Sequence, residues 1–123
     1  MKKFIRKEQK RFSDAAKGLL VFLSSAEHAI FHSFAACITI IAAWYFCVST
    51  IEWLLIILCI GFVFFAEAVN ESIECLADFI YKEQHPDIGK IKDIAAGAVL
   101  VAAITSAVIG IIIFLPKIIE QLN

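Results

Sequence analysis

The stretch IAAGAVLVAAITSAVIGIIIFL, residues 94–115, determines the fold class of this 123-residue chain. It contains no Asp, Glu, Lys or Arg, and it has the length of about 20 apolar residues that a helix needs to cross a membrane. Residues 29–51 are equally free of these charges. A shorter apolar stretch, 53–66, spans only if its helix continues to about residue 70. The sequence therefore predicts three transmembrane helices, at 29–48, 51–70 and 94–115.

The composition agrees with this prediction. Hydrophobic residues make up 61% of the chain, charged residues make up 19%, and the mean hydropathy is +0.85. Soluble domains have about half apolar and a quarter charged residues, so the composition argues against a water-soluble monomer. The same figures exclude a disordered chain. We expect an all-α membrane protein that forms a single membrane domain over residues 1–123.

The basic residues predict how the chain is oriented. Ten of the eleven Lys and Arg lie in residues 1–28 and 71–93, and Lys117 is the exception. Because positive charge stays in the cytoplasm, the N-terminus is expected inside and the C-terminus outside. The second spanning helix is expected to extend into the cytoplasm to about residue 81. A cytoplasmic loop follows at 82–93, in which Asp87 is a candidate helix N-cap.

Residues 1–28 are too highly charged to span a membrane. Apolar residues occupy one half of a helical wheel and basic residues the other, which predicts an amphipathic helix in the membrane interface. A helix packed against the rest of the protein fits the same pattern. A signal peptide fits less well, because charges continue through Lys17 and no cleavage site follows an apolar core.

Common metal and nucleotide motifs are absent from the sequence. The four cysteines form no C-x-x-C pair, so we expect them to pack as small apolar residues rather than bind zinc or form disulfides. There is no G-x-x-x-x-G-K-[ST], G-x-G-x-x-G or D-F-G. A nucleotide site in this chain would therefore differ from those of P-loop and protein-kinase folds.

Polar residues at helical spacing follow the second apolar stretch: Glu67, Asn70, Glu71, Glu74 and Asp78. They fall within about 100° of one helix face. Because stacked carboxylates repel one another, this pattern indicates a bound cation, and oxygen ligands suit Mg²⁺. Simple solvation of a helix that leaves the membrane is an equal alternative for Glu71 and Asp78. It explains Glu67 less well, since an ionisable residue at membrane depth is a functional candidate.

Further candidates lie between the second and third spans. Lys92 and Asp93 directly precede the third span, where a lysine could bind phosphate or extend its amine to the membrane surface. Glu83 and His85 lie at the expected bend, where both ligand contact and simple solvation are possible.

Two segments resemble the signature of the small integral-membrane prokaryotic diacylglycerol kinase family. They are EAVNESIECLAD at 67–78 and KDIAAGAVL at 92–100, and the family pattern is E-x-x-N-[ST]-[AS]-I-E, a following aspartate and K-D. IEW at 51–53 and FLPK at 114–117 most resemble the undecaprenol kinase branch. The resemblance covers nearly the whole chain. It implies a homotrimeric helix bundle in the bacterial inner membrane, with active sites shared between subunits.

The resemblance also implies the activity, a transfer of the γ-phosphate of ATP to the hydroxyl of undecaprenol or diacylglycerol, with Mg²⁺. Glu67 is the expected general base, Glu74 a metal ligand and Asn70 a residue beside the phosphates. The other implied nucleotide contacts are Glu83, Gln84, His85, Lys92, Asp93 and one of Arg6, Lys7 and Arg11. Glu67 and Ala96 are the implied lipid contacts, and no nucleic-acid partner is expected.

The chain departs from the family pattern at two positions. Glu71 replaces the usual Ser or Thr after the asparagine. The family places a second metal-binding glutamate in the surface helix, but counting back from His32 puts Ala26 there, with Glu27 one residue later. A shift of one residue turns a helical side chain by about 100°. Glu27 and Glu71 are therefore both candidates for the second metal ligand.

A protein of another class could carry the same carboxylates. The alternative is a catalytically silent oligomeric membrane protein, or an assembly that conducts cations along these side chains. Small residues in the third span permit close helix contact in either case. Lys92 favours the kinase, because a cation path gains nothing from a lysine whereas an ATP site does.

Overall fold

The computed structural model describes residues 1–25, 27–81 and 85–123. These residues form four α-helices and, within the described ranges, no strand. The helices are α1 (Lys2–Ser25), α2 (Glu27–Tyr45), α3 (Thr50–Ile80) and α4 (Pro86–Leu122). The all-α class predicted from the sequence is confirmed.

Two of the helices are long and apolar enough to cross a membrane. These are α3, with 31 residues, and α4, with 37 residues, whose most apolar 18-residue segments have a mean hydropathy of 2.2 and 2.8. A third candidate is the bent pair made of Lys3–Ser24 and Ala29–Tyr45, with 91° between its two parts. The 19 residues of α2 alone measure about 28 Å, close to the hydrocarbon thickness of about 30 Å. The protein therefore has two clear candidate spans and a possible third.

The turn between α2 and α3 is short because an N-cap for α3 follows four residues after the end of α2. Cys47 has a left-handed φ of 48°, and Ser49 is the N-cap of α3. The backbone N–H of Glu52 donates to Ser49 Oγ at 3.4 Å, and that of Ser49 donates to Glu52 Oε2 at 2.6 Å. This reciprocal capping box starts α3. Trp44 and Trp53 then meet across the turn with ring centroids 5.7 Å apart.

The start of α4 corrects the expected extent of the cytoplasmic loop. Residues 86–93, assigned to the loop from the sequence, form the first turns of α4. His85 is the N-cap, and its Nδ1 accepts a hydrogen bond from the backbone N–H of Asp87 at 3.2 Å. Pro86 suits the first helical position because it lacks an N–H. Asp87, the expected N-cap, instead lies in the first turn, where a negative charge is favourable.

The most extensive helix contact is between α3 and α4. Ala95 and Ala102 of α4 are buried, since small side chains allow the backbones to approach. At the end near the α2–α3 turn, Lys117 Nζ lies 3.2 Å from Glu52 Oε1. Near the middle of α3, Phe64 packs against the buried cluster of Phe22 and Ala29. Most large apolar side chains remain exposed, as expected for helices whose surroundings are lipid hydrocarbon.

Candidate active site

The polar face of α3 extends from membrane depth towards water. The helix is about 46 Å long, well beyond the hydrocarbon thickness of about 30 Å. Measured from its start, Glu67 lies at about 26 Å, Asn70 at about 30 Å, Glu74 at about 36 Å and Asp78 at about 42 Å. Glu67 is thus the residue of this face that lies within the length of a span.

Glu67 is 5% exposed and has a partner on α2. His32 Nε2 lies 2.8 Å from Glu67 Oε1, and the exposed fraction of the His32 side chain is 18%. One carboxylate oxygen of Glu67 therefore lies within ion-pair distance of an imidazole nitrogen, and among the described residues the other oxygen has no such contact. His32 was absent from the predicted site. The signal in the sequence was its position as the one histidine within 29–51, opposite a span that carries a glutamate.

Asn70 is also buried, and it links the site to Glu74 one turn further along α3. Asn70 Nδ2 donates to Glu74 Oε1 at 2.8 Å. This contact fixes the orientation of the amide, because a carboxylate requires a donor. The other amide atom, Asn70 Oδ1, is buried and has no hydrogen-bond partner among the described residues. A buried acceptor of this kind is expected to have a ligand, an ion or a water as its partner.

Lys92 of α4 lies beside the outer part of this face. Its Nζ donates to Asp78 Oδ1 at 3.0 Å. The hydrogen bond to Asp78 raises the pKa of Lys92, and the nearby charges of Asp78 and Glu74 add to the effect against partial desolvation. The sequence placed Lys92 near the carboxylates, but its pairing with Asp78 was not predicted.

The other predicted site residues that the structure describes are either exposed or make their contacts away from Glu67 and Asn70. Asp93 and Ala96 are exposed, and Glu71 Oε1 accepts a hydrogen bond from Cys75 Sγ at 3.7 Å. His85 packs its ring edge against Tyr81 and uses Nδ1 for the helix cap, which leaves Nε2 for other contacts. Glu83, Gln84 and the side chain of Glu27 lie outside the described residues.

The oxygen atoms on this face fit a magnesium ion that is shared with phosphate. Within the described ranges, no group of three or more His, Cys, Asp or Glu side chains is arranged to hold a metal. Mg²⁺, however, is commonly bound by one or two carboxylates together with substrate phosphates and waters. Glu74 Oε2 and the unpartnered Asn70 Oδ1 are oxygen ligands of the kind it prefers. The donor set therefore suits a metal that arrives with a nucleotide.

Two apolar cavities flank α3. One, of about 410 Å³, lies between α2, α3 and α4, and His32 is among its lining residues. The other, of about 470 Å³, lies between α3 and α4, and Asn70 is the polar residue in its lining. Each cavity places a hydrocarbon environment next to a polar residue of the site, as a lipid with a polar head group requires.

Comparisons with known proteins identify relatives of this chain. A sequence profile described as prokaryotic diacylglycerol kinase matches residues 13–114. The chain is also 41% identical over 108 residues to the undecaprenol kinase of Bacillus subtilis (strain 168), and the match covers 88% of each chain. These matches define the class of protein as a membrane phosphotransferase that acts on an alcohol, a lipid kinase.

The chain belongs to the prokaryotic diacylglycerol kinase family, and its similarity to an undecaprenol kinase supports the undecaprenol kinase branch. The resemblance identified from the two signature segments, 67–78 and 92–100, is thereby confirmed. Membership also favours an enzyme over the alternative of a silent or cation-conducting assembly.

Proposed function

We propose that this protein is an ATP- and Mg²⁺-dependent kinase of undecaprenol, with diacylglycerol as the second candidate acceptor. The observation that carries the proposal is the buried carboxylate of Glu67, one oxygen of which contacts His32 while the other has no partner among the described residues. We propose that this second oxygen meets the lipid hydroxyl. Asn70, Glu74 and Lys92 follow it towards water, where ATP would bind. The similarity to the Bacillus subtilis undecaprenol kinase supports a polyprenol as the acceptor.

In the proposed reaction, the lipid hydroxyl oxygen attacks the γ-phosphorus of ATP. A new P–O bond forms to the lipid, the bond from the γ-phosphorus to the β,γ-bridging oxygen breaks, and ADP leaves. Glu67 accepts the hydroxyl proton through its free oxygen. Phosphoryl transfer requires mainly alignment and charge stabilisation, so one positioned base and a few charged contacts are sufficient.

The remaining site residues are proposed to hold the nucleotide. Lys92 neutralises phosphate charge, and Asn70 positions the phosphates. Further nucleotide contacts are proposed for Asp93, for Glu83, Gln84 and His85, and for one of Arg6, Lys7 and Arg11. Glu74, with Asn70 Oδ1 beside it, would hold Mg²⁺, which neutralises charge on the β- and γ-phosphate oxygens. Glu27 and Glu71 are candidates for a second metal ligand, and Ala96 for a lipid contact.

The proposed membrane arrangement has spans at 29–48, 51–70 and 94–115. Residues 1–28, which include α1, are proposed to lie in the cytoplasmic interface of the bacterial inner membrane, with the C-terminus outside. The distribution of Lys and Arg supports this orientation. A homotrimer with shared sites is proposed, because three helices alone do not enclose a site and many large apolar side chains are exposed.

The test is phosphorylation of lipid by the purified protein with labelled ATP and Mg²⁺, with undecaprenol and diacylglycerol assayed in parallel. We expect phosphorylated undecaprenol as the main product. Glu67→Gln should reduce the rate at least about 100-fold, since a general base contributes about 10²–10⁴-fold. Glu120→Gln, which removes an exposed carboxylate near the C-terminus, is the matched control and should leave the rate unchanged.

Three results would contradict parts of the proposal. No product from either lipid would rule out the lipid kinase proposed here. Full activity of Glu67→Gln would remove Glu67 from the role of base. Faster phosphorylation of diacylglycerol than of undecaprenol would reverse the assignment of the acceptor.

A further inference from the structure

We propose that His32 is a positioning residue for the phosphoryl-transfer reaction, which holds Glu67 through a hydrogen bond from Nε2–H to Oε1. The inference rests on the proposed function, because it assigns His32 a role through Glu67 as the base. The two side chains come from different helices and lie 2.8 Å apart. When His32 of α2 holds Glu67 Oε1, the other oxygen, Glu67 Oε2, keeps a fixed direction towards the lipid hydroxyl.

The surroundings of Glu67 explain why a donor is needed. The carboxylate is 5% exposed, and the adjacent core cluster consists of Phe22 and Ala29 with Phe64 and Ala68 packed against it. None of these side chains can donate a hydrogen bond. A carboxylate buried among apolar groups without a donor is strongly disfavoured in its charged form. Among the described residues, His32 is the side chain that forms a hydrogen bond or ion pair with Glu67.

His32 could act in the reaction either as a hydrogen-bond donor to Glu67 or as the base itself. A neutral imidazole donates from one nitrogen and accepts at the other, so a ring that donates from Nε2 acts as a fixed donor to Glu67. His32 also lines the cavity of about 410 Å³, where a lipid could approach it directly. A role as the base itself would require a ring nitrogen that accepts the hydroxyl proton. A substitution that keeps the donor but removes the basic nitrogen distinguishes the two roles.

Glutamine provides that substitution, because its amide nitrogen can reach the position of Nε2 but is not a base. We expect His32→Leu to lower kcat about 10- to 100-fold, as misplacement of a reacting group does, with KM for ATP within about twofold. His32→Gln should recover most of the lost kcat. Ser33→Ala is the matched control on α2 and should leave kcat unchanged, because Ser33 Oγ donates to the backbone carbonyl of Ala29 in its own helix.

A double substitution tests whether His32 acts through Glu67. If it does, His32→Leu lowers kcat in the unmodified chain but has no further effect on the residual rate of Glu67→Gln. His32→Asn, whose amide is too short to reach Oε1, provides the same comparison with His32→Gln should the leucine variant fail to fold. Circular dichroism and KM for ATP verify that each assayed variant is folded.

The outcomes separate this inference from the proposed function. Lipid phosphorylation that is absent from the unmodified protein would remove the proposed function and this inference with it. Full activity of Glu67→Gln would remove Glu67 from the role of base, and with it this inference, but would leave a lipid kinase. Full kcat in the leucine and asparagine variants, with Glu67→Gln inactive, would overturn the inference alone. A glutamine variant as inactive as the leucine variant would also overturn it, since His32 would then act as a base rather than as a donor.

Discussion

Lys92 Nζ lies 3.0 Å from Asp78 Oδ1, so the residue proposed to bind phosphate is held by a carboxylate of the neighbouring helix. The pair joins the start of α4 to the C-terminal end of α3. ATP must therefore compete with Asp78 for the ammonium group, or share it. This competition makes the two residues opposite in their expected effects on nucleotide affinity.

We predict that Lys92→Met raises KM for ATP about 10- to 100-fold, because a hydrogen bond to a charged group contributes about 1.5–3 kcal/mol. Asp78→Asn should instead lower KM by up to about fivefold, as expected from loss of an exposed ion pair of about 0.2–1 kcal/mol. Steady-state kinetics with varied ATP measure both effects. Lys90→Met is the control on the same helix and should change KM less than about twofold. An increase in KM for Asp78→Asn would show that Asp78 orients Lys92 instead of competing for it.

The pH dependence of nucleotide binding follows from the same pair. The hydrogen bond to Asp78 raises the pKa of Lys92 above its ordinary value. A raised pKa in the folded state means that the stabilisation is fully present below the ordinary pKa and is lost only as the pH rises through the folded value, in the alkaline range. The ratio of KM for ATP between Lys92→Met and the unmodified protein should therefore stay constant from about pH 6.5 to 9. A decrease in this KM ratio between about pH 6.5 and pH 9 would contradict a fully charged Lys92.

Magnesium dependence should distinguish Glu74 from Glu71. Glu74 shares a hydrogen bond with Asn70 next to an unpartnered oxygen, whereas Glu71 accepts from Cys75. We predict that Glu74→Gln raises the Mg²⁺ concentration for half-maximal activity about 10- to 100-fold, and that Glu71→Gln changes it less than about threefold. The measurement is a Mg²⁺ titration of lipid phosphorylation at fixed ATP. Equal effects of the two substitutions would indicate that both carboxylates contact the metal.

The sequence predicted the parts of the structure that depend on local patterns. Helical spacing placed the polar residues on one face of α3 and set its end near residue 81, where the structure has Ile80. The structure adds a hydrogen bond from Asn70 to Glu74 on this face, as residues four apart on a helix are neighbours. These features need only the geometry of one helix and the charge pattern along it.

Contacts between residues of different helices could not be predicted from patterns within one helix. His32 and Asp78 were missed as partners of Glu67 and Lys92, because helical periodicity gives the face of a residue but not the rotation of the neighbouring helix. The N-cap of α4 was predicted at Asp87 instead of His85 for a different reason. His85 is an unusual N-cap, and its side chain competes with Asp87 for the role that preference tables give to the aspartate. The second metal ligand stays a prediction, since the side chain of Glu27 lies outside the described residues.

Two native cysteines can test the proposed orientation. Cys47 lies in the turn between α2 and α3, expected outside, and Cys75 lies on the extension of α3, expected inside. We predict that a membrane-impermeant maleimide labels Cys47 in intact cells and Cys75 only after permeabilisation, in variants that each keep one cysteine. Partial burial and the charge of Glu71 raise the pKa of the Cys75 thiol, so its labelling should need mildly alkaline buffer. Labelling of Cys75 in intact cells would reverse the orientation.

Glu52 should contribute more to stability than its partner Lys117, because it makes two kinds of contact. It closes the capping box with Ser49 and also pairs with Lys117 at 3.2 Å. Glu52→Ala removes both contacts and should cost about 1–2 kcal/mol, from a cap of about 1 kcal/mol and a partly exposed ion pair of about 0.2–1 kcal/mol. Glu52→Gln keeps an oxygen that can accept from the backbone of Ser49, so it should resemble Lys117→Met.

Thermal unfolding in detergent measures the stability of each variant. The unmodified protein should be the most stable, Glu52→Gln and Lys117→Met should be equally less stable, and Glu52→Ala should be the least stable. Adding Lys117→Met to Glu52→Gln should cost little more, because the ion pair is already lost. If Glu52→Gln destabilised as much as Glu52→Ala, the charge of Glu52 rather than its capping geometry would start α3. The helix dipole would then be the larger contribution, because a negative charge in the first turn is favourable without a specific hydrogen bond.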